Sequence, residues 1–199
     1  MYSSVPRPSA LGRPAPLLLA AVAAVALAAP LAAQPRAYSV DKAHSEINFV
    51  ASARLLDAHG YFGAWQADVQ LDSAALERST VRLTIDAASV TTRNDRRDAH
   101  LKSPDFFDVA KYPTITFTSK SVARTSATTG LITGDLSMHG VTRSLQVPVT
   151  VRFFEGGRGR FAGTFAVKRN DFGVAGQSRM NPIEDEVAVQ FNMTVAAGQ

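Results

Sequence analysis

Apolar residues recur at every second position through most of the chain, and this alternation constrains the fold more than any other feature of the sequence. Successive side chains of a β-strand point to opposite faces, so a period of two predicts strands, whereas a helix needs a period of about 3.6. The longest example runs from Val141 to Phe153, where the odd-numbered positions are apolar except for Arg143. Segments of this kind predict an all-β protein of about eight antiparallel strands, each with one apolar face.

The alternation alone leaves two arrangements of these strands open. Eight strands with one apolar face can close into a barrel or form two stacked sheets, since both bury the same faces. The alternation stops between Thr92 and Lys111, where Ser103 followed by Pro104 matches the start of a helix, so one or two short helices are predicted there. Pro148 lies on the polar face of its strand and lacks an amide donor, which predicts an edge or a bulge. An open edge would allow strand pairing between two subunits and hence a dimer.

The first 33 residues differ in composition from the rest and are interpreted as a secretory signal peptide. They contain no acidic residue, carry Arg7 and Arg13 near the start, and continue through a run of Leu, Ala and Val from Leu17 to Ala28. Small residues end the segment, so cleavage is expected after Ala33. A permanent membrane anchor is the alternative, but this run is shorter than the roughly 20 residues that span a bilayer.

Composition excludes several function classes. Residues 34–199 are enough for one domain with a sizeable core. The sequence has 21 basic and 17 acidic residues, and two of the basic residues lie in the first 33, so the exported chain is close to neutral. It has no basic stripe with interleaved aromatic residues, which argues against nucleic acid as a partner. The absence of cysteine excludes disulfides and a thiolate nucleophile.

Residues with catalytic or metal chemistry are sparse. The chain has four histidines, none with the spacing of a zinc motif: His44, His59, His100 and His139. Asp41, His44 and Ser45 supply the residue types of a hydrolase triad, but such near neighbours cannot easily converge and are interpreted as a hydrogen-bonded turn. The charged segment 94–101 is interpreted as an ion-paired helix surface. No catalytic residue, metal site or cofactor is predicted.

Aromatic residues on the apolar strand faces raise the question of a ligand. They are Phe49, Tyr61, Trp65, Phe117, Phe153, Phe165 and Phe191. A packed core would explain them, but a barrel of about eight strands is also wide enough to hold one slender ligand. Small residues on the same faces would leave room along the axis: Ala51, Ala53, Gly63, Ala67, Gly134 and Gly163. An apolar cavity would favour a long hydrocarbon chain, because each buried methylene contributes about 0.8 kcal/mol.

Six motifs occur in a characteristic order along the chain: Asp41–Ser45, Gly60–Phe62, Ile85–Thr91, Arg97–Phe117, Gly134–Thr142 and Arg169–Gly173. In these motifs the sequence resembles the YceI-like, polyisoprenoid-binding family of bacterial envelope proteins. The resemblance covers residues 37–196, which are therefore expected to form one domain, and it implies a lipocalin-like antiparallel barrel. The sequence departs from the family pattern at Ser52–Leu55, where a basic residue followed by His, Leu and Gly is usual.

The resemblance implies a periplasmic binding protein and no catalysis. The expected ligand is an isoprenoid or fatty-acyl lipid, such as a polyprenyl lipid or a quinone tail, and transient membrane contact is a further expectation. The aromatic residues above are predicted to contact the hydrocarbon chain of the ligand, although their inward orientation rests on strand alternation alone. Arg97, His100 and Arg169, from the motif-bearing segments, are candidates for contacting a head group. If Trp65 faces the ligand, Trp65→Arg should abolish binding.

Two other functions remain open. One is an interaction module whose barrel is filled by its own side chains and whose functional surface lies around residues 93–113. The other is a lipid-modifying enzyme that uses the same pocket, against which the lack of a recognisable nucleophile or metal set counts. A filled barrel would have no continuous cavity, so the interior volume separates the first alternative from a lipid-binding protein.

Overall fold

The computed structural model describes Met1, residues 34–176 and residues 181–198. The predicted signal peptide and its cleavage site lie outside the described residues, apart from Met1. The strands are Arg36–Val40 (β1), Glu46–Ala53 (β2), Ala58–Phe62 (β3), Trp65–Leu71 (β4), Thr80–Asp86 (β5), Val90–Thr91 (β6), Thr114–Arg124 (β7), Thr129–Met138 (β8), Val141–Glu155 (β9), Arg158–Lys168 (β10) and Ile183–Ala197 (β11). An α-helix, Asp95–Lys102 (α1), follows β6. No helix in the described part of the chain is long and apolar enough to cross a membrane.

The strands form a closed antiparallel barrel. Its ring follows the order β1, β4, β5, β7, β8, β9, β10 and β11, and pairing of β1 with β11 closes it. The remaining strands, β2, β3 and β6, extend the sheet from β11. The predicted all-β barrel of about eight strands with a short helix is therefore confirmed, and the alternative of two stacked sheets is excluded.

Three of the eight strand positions around this barrel are each occupied by two consecutive short strands. β1 and β2 both pair with β11, while β4 pairs with β1 and β3 with β2, so β1–β2, β3–β4 and β5–β6 each follow a single path. Short 3-10 helices interrupt the first and third, at Lys42–His44 and Ala87–Ser89. A bend at residues 63–64 interrupts the second, where the Gly63 amide donates to the Ser89 carbonyl. These breaks shift the alternation of side chains, which affects the cavity described below.

The helix begins and ends at residues other than those the sequence indicated. Asn94 is its N-cap and accepts a hydrogen bond from the Arg97 amide at 3.0 Å, whereas Ser103 is its C-cap. The prediction that Ser103 starts a helix is therefore wrong. The amides of Phe106 and Asp108 instead bond the Ser103 carbonyl, which makes the following residues a series of turns. Asn accepts such a bond as readily as Ser, so the earlier cap satisfies the first turn.

The two ends of the barrel differ in packing. One end, here called the helix-covered end, carries α1 and residues 103–113 and 169–176. Its buried core includes Ile47, Trp65, Ile85, Phe106, Ile115, Met138, Phe172 and Val174. The opposite end, here called the hairpin end, is formed by the connections 72–79, 125–128 and 156–157. Pro148 lies on the outer face of β9, two residues before the β9–β10 ladder begins at Thr150.

Candidate functional site

A cavity of about 890 Å³ occupies the barrel interior. Its walls are almost entirely apolar, with residues such as Leu83, Val147 and Val189 contributed by strands around the ring. The lining extends from Leu56 and Asn181 at the helix-covered end to residues of the hairpin end. Sites for small molecules are apolar clefts of about 300–1,000 Å³, so the interior has the size and polarity of a ligand site. The barrel is therefore not filled by its own side chains.

Phenylalanine side chains lie against the wall of the cavity because glycines face them on neighbouring strands. A Cβ atom added to Gly60 would lie 2.3 Å from the Phe49 ring, and one added to Gly163 would lie 2.4 Å from the Phe191 ring. Gly134 lies against the Phe117 ring in the same way. The missing side chains let the rings lie flat over the adjacent strand. Gly134 and Gly163 thus leave room along the barrel axis, because aromatic rings lie flat against them. Gly63 lies instead at the bend between β3 and β4.

The structure brings most of the predicted aromatic residues to the cavity. Five of the seven line it: Phe49, Phe117, Phe153, Phe165 and Phe191. Tyr61 is 38 % exposed and does not line the cavity, whereas its neighbour Phe62 does. Trp65 is 7 % exposed and packs in the core cluster, with the Lys42 ammonium 5.6 Å from its ring centre. The predicted cavity-facing positions of Tyr61 and Trp65 are therefore corrected.

A break in strand alternation explains the position of Tyr61, whereas Trp65 lies on the same face as Ala67 but packs in the core cluster. Phe62 and Ala67 both line the cavity although they are an odd number of residues apart, because the bend at residues 63–64 shifts the alternation between β3 and β4. In β9, Phe161 pairs with Val151 but Arg160 pairs with Phe153, so a bulge occurs at residue 152. Beyond the bulge, both Phe153 and Phe154 contact the cavity.

Other cavity residues carry no signal in the strand pattern. Phe106 and Phe107 line the cavity from the turns after α1, and Leu101 lines it from the helix. Leu56 reaches it from the connection between β2 and β3. Their spacing has no period of two, so only the family motif that contains Phe106 and Phe107 draws attention to them.

Arg169 lies at the cavity wall, but its hydrogen bonds serve the backbone. Its guanidinium donates to the carbonyl oxygens of Val174 at 2.7 Å, Gly176 at 2.9 Å, Glu184 at 3.0 Å and Ile183 at 3.1 Å. The residue is 4 % exposed, and burial lowers the pKa of Arg169 although the charge of Asp185 opposes this. With four of its five N–H donors used, Arg169 fixes the chain on both sides of residues 177–180.

Arg97 and His100 bring polar groups to the helix-covered end of the cavity. Both line it from α1. The Arg97 Nε donates to Thr92 Oγ1 at 2.7 Å and its Nη2 to the Thr92 carbonyl at 3.0 Å. Among the described residues, no acceptor binds the N–H groups of Nη1. His100 Nε2 lies 3.1 Å from Asp105 Oδ2, and its ring stands edge-on to Phe106. These side chains are held in place beside an apolar space.

A buried carboxylate positions α1 under the barrel. Asp98 accepts hydrogen bonds from the Thr91 hydroxyl at 2.8 Å, the Thr92 amide at 2.7 Å and the Thr92 hydroxyl. Burial opposes its ionisation, but the hydrogen bonds from Thr92 and Thr91 outweigh this and hold the pKa of Asp98 below its usual value. The interpretation of this segment as an ion-paired surface is therefore wrong for Asp98, since threonines bind it.

The residue types of a hydrolase triad form a turn outside the cavity. His44 Nδ1 lies 2.8 Å from Asp41 Oδ2, while Ser45 Oγ accepts a hydrogen bond from the Thr194 amide at 2.9 Å. The His44 side chain is largely exposed. Within residues 34–176 and 181–198, no group of three or more His, Cys, Asp or Glu side chains is arranged to hold a metal ion.

Comparisons with known proteins agree with this architecture. The model of the YceI-like domain matches residues 38–195. A UPF0312 protein of Pseudomonas savastanoi pv. phaseolicola is 34 % identical over 172 residues, which cover 80 % of this chain and 90 % of that protein. The crystal structure of Burkholderia cenocepacia BcnA has a TM-score of 0.73 at 29 % identity and covers 78 % of this chain and 99 % of its own.

A more distant structure shares the fold. It is a polyisoprenoid-binding domain from Saccharophagus degradans, described as implicated in plant cell wall breakdown. Its TM-score is 0.63 at 21 % identity, and the match covers 82 % of this chain and 99 % of that one. With the family model matching nearly the whole described barrel, the chain belongs to the YceI-like family.

Proposed function

We propose that the protein encloses the hydrocarbon chain of one lipid and acts in the bacterial periplasm as a carrier or scavenger, without catalysis. The apolar cavity of about 890 Å³ carries this proposal. This volume lies within the range of about 300–1,000 Å³ that ligand sites occupy, so the cavity has room for a long hydrocarbon chain. At about 0.8 kcal/mol per buried methylene, the chain itself supplies ample affinity.

The ligand class follows from the shape and chemistry of the cavity. A long, uninterrupted apolar space accepts isoprenoid and fatty-acyl chains, including the tail of a quinone. Arg97 and His100 would contact a polar head group at the helix-covered end, since they are the polar side chains held there with donors to offer. Arg169 is a less suitable contact, because its guanidinium is committed to backbone carbonyls.

The same cavity weighs against the two other functions. An interaction module with a filled barrel would leave no space of this size. A lipid-modifying enzyme would need metal ligands or an activated nucleophile beside the cavity. Among the described lining residues, the one histidine, His100, lies at the helix-covered end, whereas the serines and threonines lie at the hairpin end. A binding protein requires none of these side chains to react.

Reconstitution with purified lipids tests the proposal. The chain should be expressed in full, recovered after export, stripped of bound lipid with organic solvent and mixed with a polyprenol, a ubiquinone or a fatty acid. Mass spectrometry under native conditions should then show a 1:1 complex with at least one of them. A refolded protein that takes up none of the three would contradict the proposed function.

A further inference from the structure

The hairpin end of the barrel exposes two aromatic side chains at the cavity. Phe153 is 48 % exposed and Phe154 is 38 % exposed, yet both belong to the cavity lining. Both residues follow the bulge at residue 152, near the end of β9. The ring centre of Phe154 lies 6.0 Å from that of Tyr38 and 6.1 Å from that of Phe161, so the pair is held by packing.

Arginines surround these aromatic residues. Arg36, Arg124, Arg152 and Arg158 occupy strand ends and the bulge at the hairpin end, and all four are exposed. Within the described residues, none of them has a carboxylate oxygen within ion-pairing distance. We call these four arginines, together with Phe153 and Phe154, the arginine-phenylalanine rim.

Acidic residues at the hairpin end do not cancel this charge. The connections and strand ends there carry Glu77, Glu155 and Asp72, and Asp72 lies 2.5 Å from the Arg78 guanidinium. At the helix-covered end, by contrast, Asp57, Asp105 and several other carboxylates offset the basic residues. Residues 34–199 carry 19 basic and 17 acidic residues, since two of the 21 basic residues precede them, and their excess of basic charge lies at the hairpin end, beside the exposed phenylalanines.

We propose that the arginine-phenylalanine rim docks on an anionic lipid bilayer. Exposed aromatic rings favour the boundary between head groups and acyl chains, and each basic residue near an anionic surface adds attraction. A protein partner would need no opening to an apolar cavity at the centre of its contact. The combination of basic charge, aromatic side chains and cavity access fits a membrane surface best.

Docking in this orientation also sets the direction in which a lipid enters. This step rests on the proposed function. A lipid in a bilayer presents its head group to the aqueous side, so one drawn through the rim enters with its head group first and its chain follows. The head group then reaches Arg97 and His100, which line the cavity at the far end, after passing Arg124 and Arg152, which line it at the rim.

Flotation with lipid vesicles tests the docking surface. Vesicles of phosphatidylcholine with and without phosphatidylglycerol are used, and intact mass first establishes the N-terminus of the exported protein. The wild type should bind only the anionic vesicles, and salt should weaken binding. R36E/R158E should reduce binding by about tenfold or more, and F153S/F154S should do the same. Arg36 and Arg158 do not line the cavity, so R36E/R158E should still take up added polyprenol or quinone.

Matched variants at the opposite end serve as controls. R54E/R96E changes the same charge, and Leu55→Ser removes a side chain that is 68 % exposed outside the cavity lining. Both should float like the wild type.

The docking proposal is overturned if the wild type does not bind anionic vesicles or if R36E/R158E binds them unchanged. It is also overturned if the variants at the helix-covered end lose binding instead. It is also overturned if F153S/F154S converts a dimer to a monomer and vesicles are not bound, which would make the rim a subunit contact. Lipid uptake without vesicle binding would leave the proposed function standing.

Discussion

The helix-covered end and the hairpin end are built from the same strands but bury their side chains differently. At the helix-covered end, α1 and two turn segments add Phe106, Phe172 and Val174 to the core. Hydrogen bonds to the Asp98 carboxylate and from the Arg169 guanidinium fix those segments. At the hairpin end, short connections leave Phe153 and Phe154 exposed beside the cavity. Stability is therefore expected to depend mainly on the first end and exchange of ligand on the second.

Placing an arginine at each of the two ends should give the largest difference in the free energy of unfolding. Trp65→Arg places a charge in the core cluster without an acidic partner and should cost more than about 4 kcal/mol, enough to unfold much of the protein. Phe154→Arg places the charge at an exposed position and should leave unfolding within about 1 kcal/mol of wild type. Chemical denaturation followed by circular dichroism measures both. A folded Trp65→Arg protein that only fails to bind lipid would instead place Trp65 against the ligand.

Removal of the buried guanidinium should have the next largest effect. Arg169→Met leaves four backbone carbonyls without their donor and should lower the free energy of unfolding by about 3 kcal/mol. Arg160→Met, at an exposed position in β10, should change it by less than about 0.5 kcal/mol. Equal stability of the two variants in urea denaturation would show that Arg169 does not stabilise the helix-covered end.

A single methyl group should alter the cavity with little effect on stability. Gly60→Ala puts a Cβ atom in the space of the Phe49 ring, which must swing into the cavity, so uptake of polyprenol should fall by about tenfold while stability changes by about 1 kcal/mol. Gly63→Ala is the matched control, because its Cβ would meet its nearest neighbour at an ordinary 3.8 Å. G60A/F49A should restore uptake. Unchanged uptake by Gly60→Ala would mean that the Phe49 ring does not border the ligand.

Acid should weaken the helix-covered end by a smaller amount. The pKa of Asp98 is lowered in the folded protein, so its contribution to stability is complete above the unfolded value of about 3.9 and is lost as pH falls through the lowered native pKa. Thermal unfolding between pH 7 and pH 3 should show a decline below about pH 4 that is shallower in Asp98→Asn. Identical profiles for both proteins would exclude Asp98 as a source of acid sensitivity.

Sequence reasoning predicted the fold because alternation is a property of each strand. Val147 and Val149 could be assigned to the interior from their own segment, and the order of motifs supplied the closed barrel. The same reasoning misplaced Tyr61 and missed Phe154, since a bend or a bulge of one residue inverts every later position. Local spacing does not show where such a break occurs.

The remaining features depend on residues that are distant in sequence. The fit of Phe191 over Gly163 requires knowledge of which strands are neighbours. The arginine-phenylalanine rim gathers Arg36 and Arg158 from opposite parts of the chain, so neither residue stands out in the sequence. The motif of Arg169 suggested a contact with a head group, and only the structure shows that four of its donors are committed to the backbone.

The most direct test of the central claim is mass spectrometry under native conditions of the purified wild type beside Ala67→Trp. Ala67 lines the cavity, and a tryptophan there would project its indole into the space that a lipid chain would occupy. We expect the wild type to carry one long-chain lipid that organic solvent releases, and Ala67→Trp to be folded and to carry none. A bare wild type that also takes up no added lipid, or an Ala67→Trp protein with the same lipid content, would contradict the account.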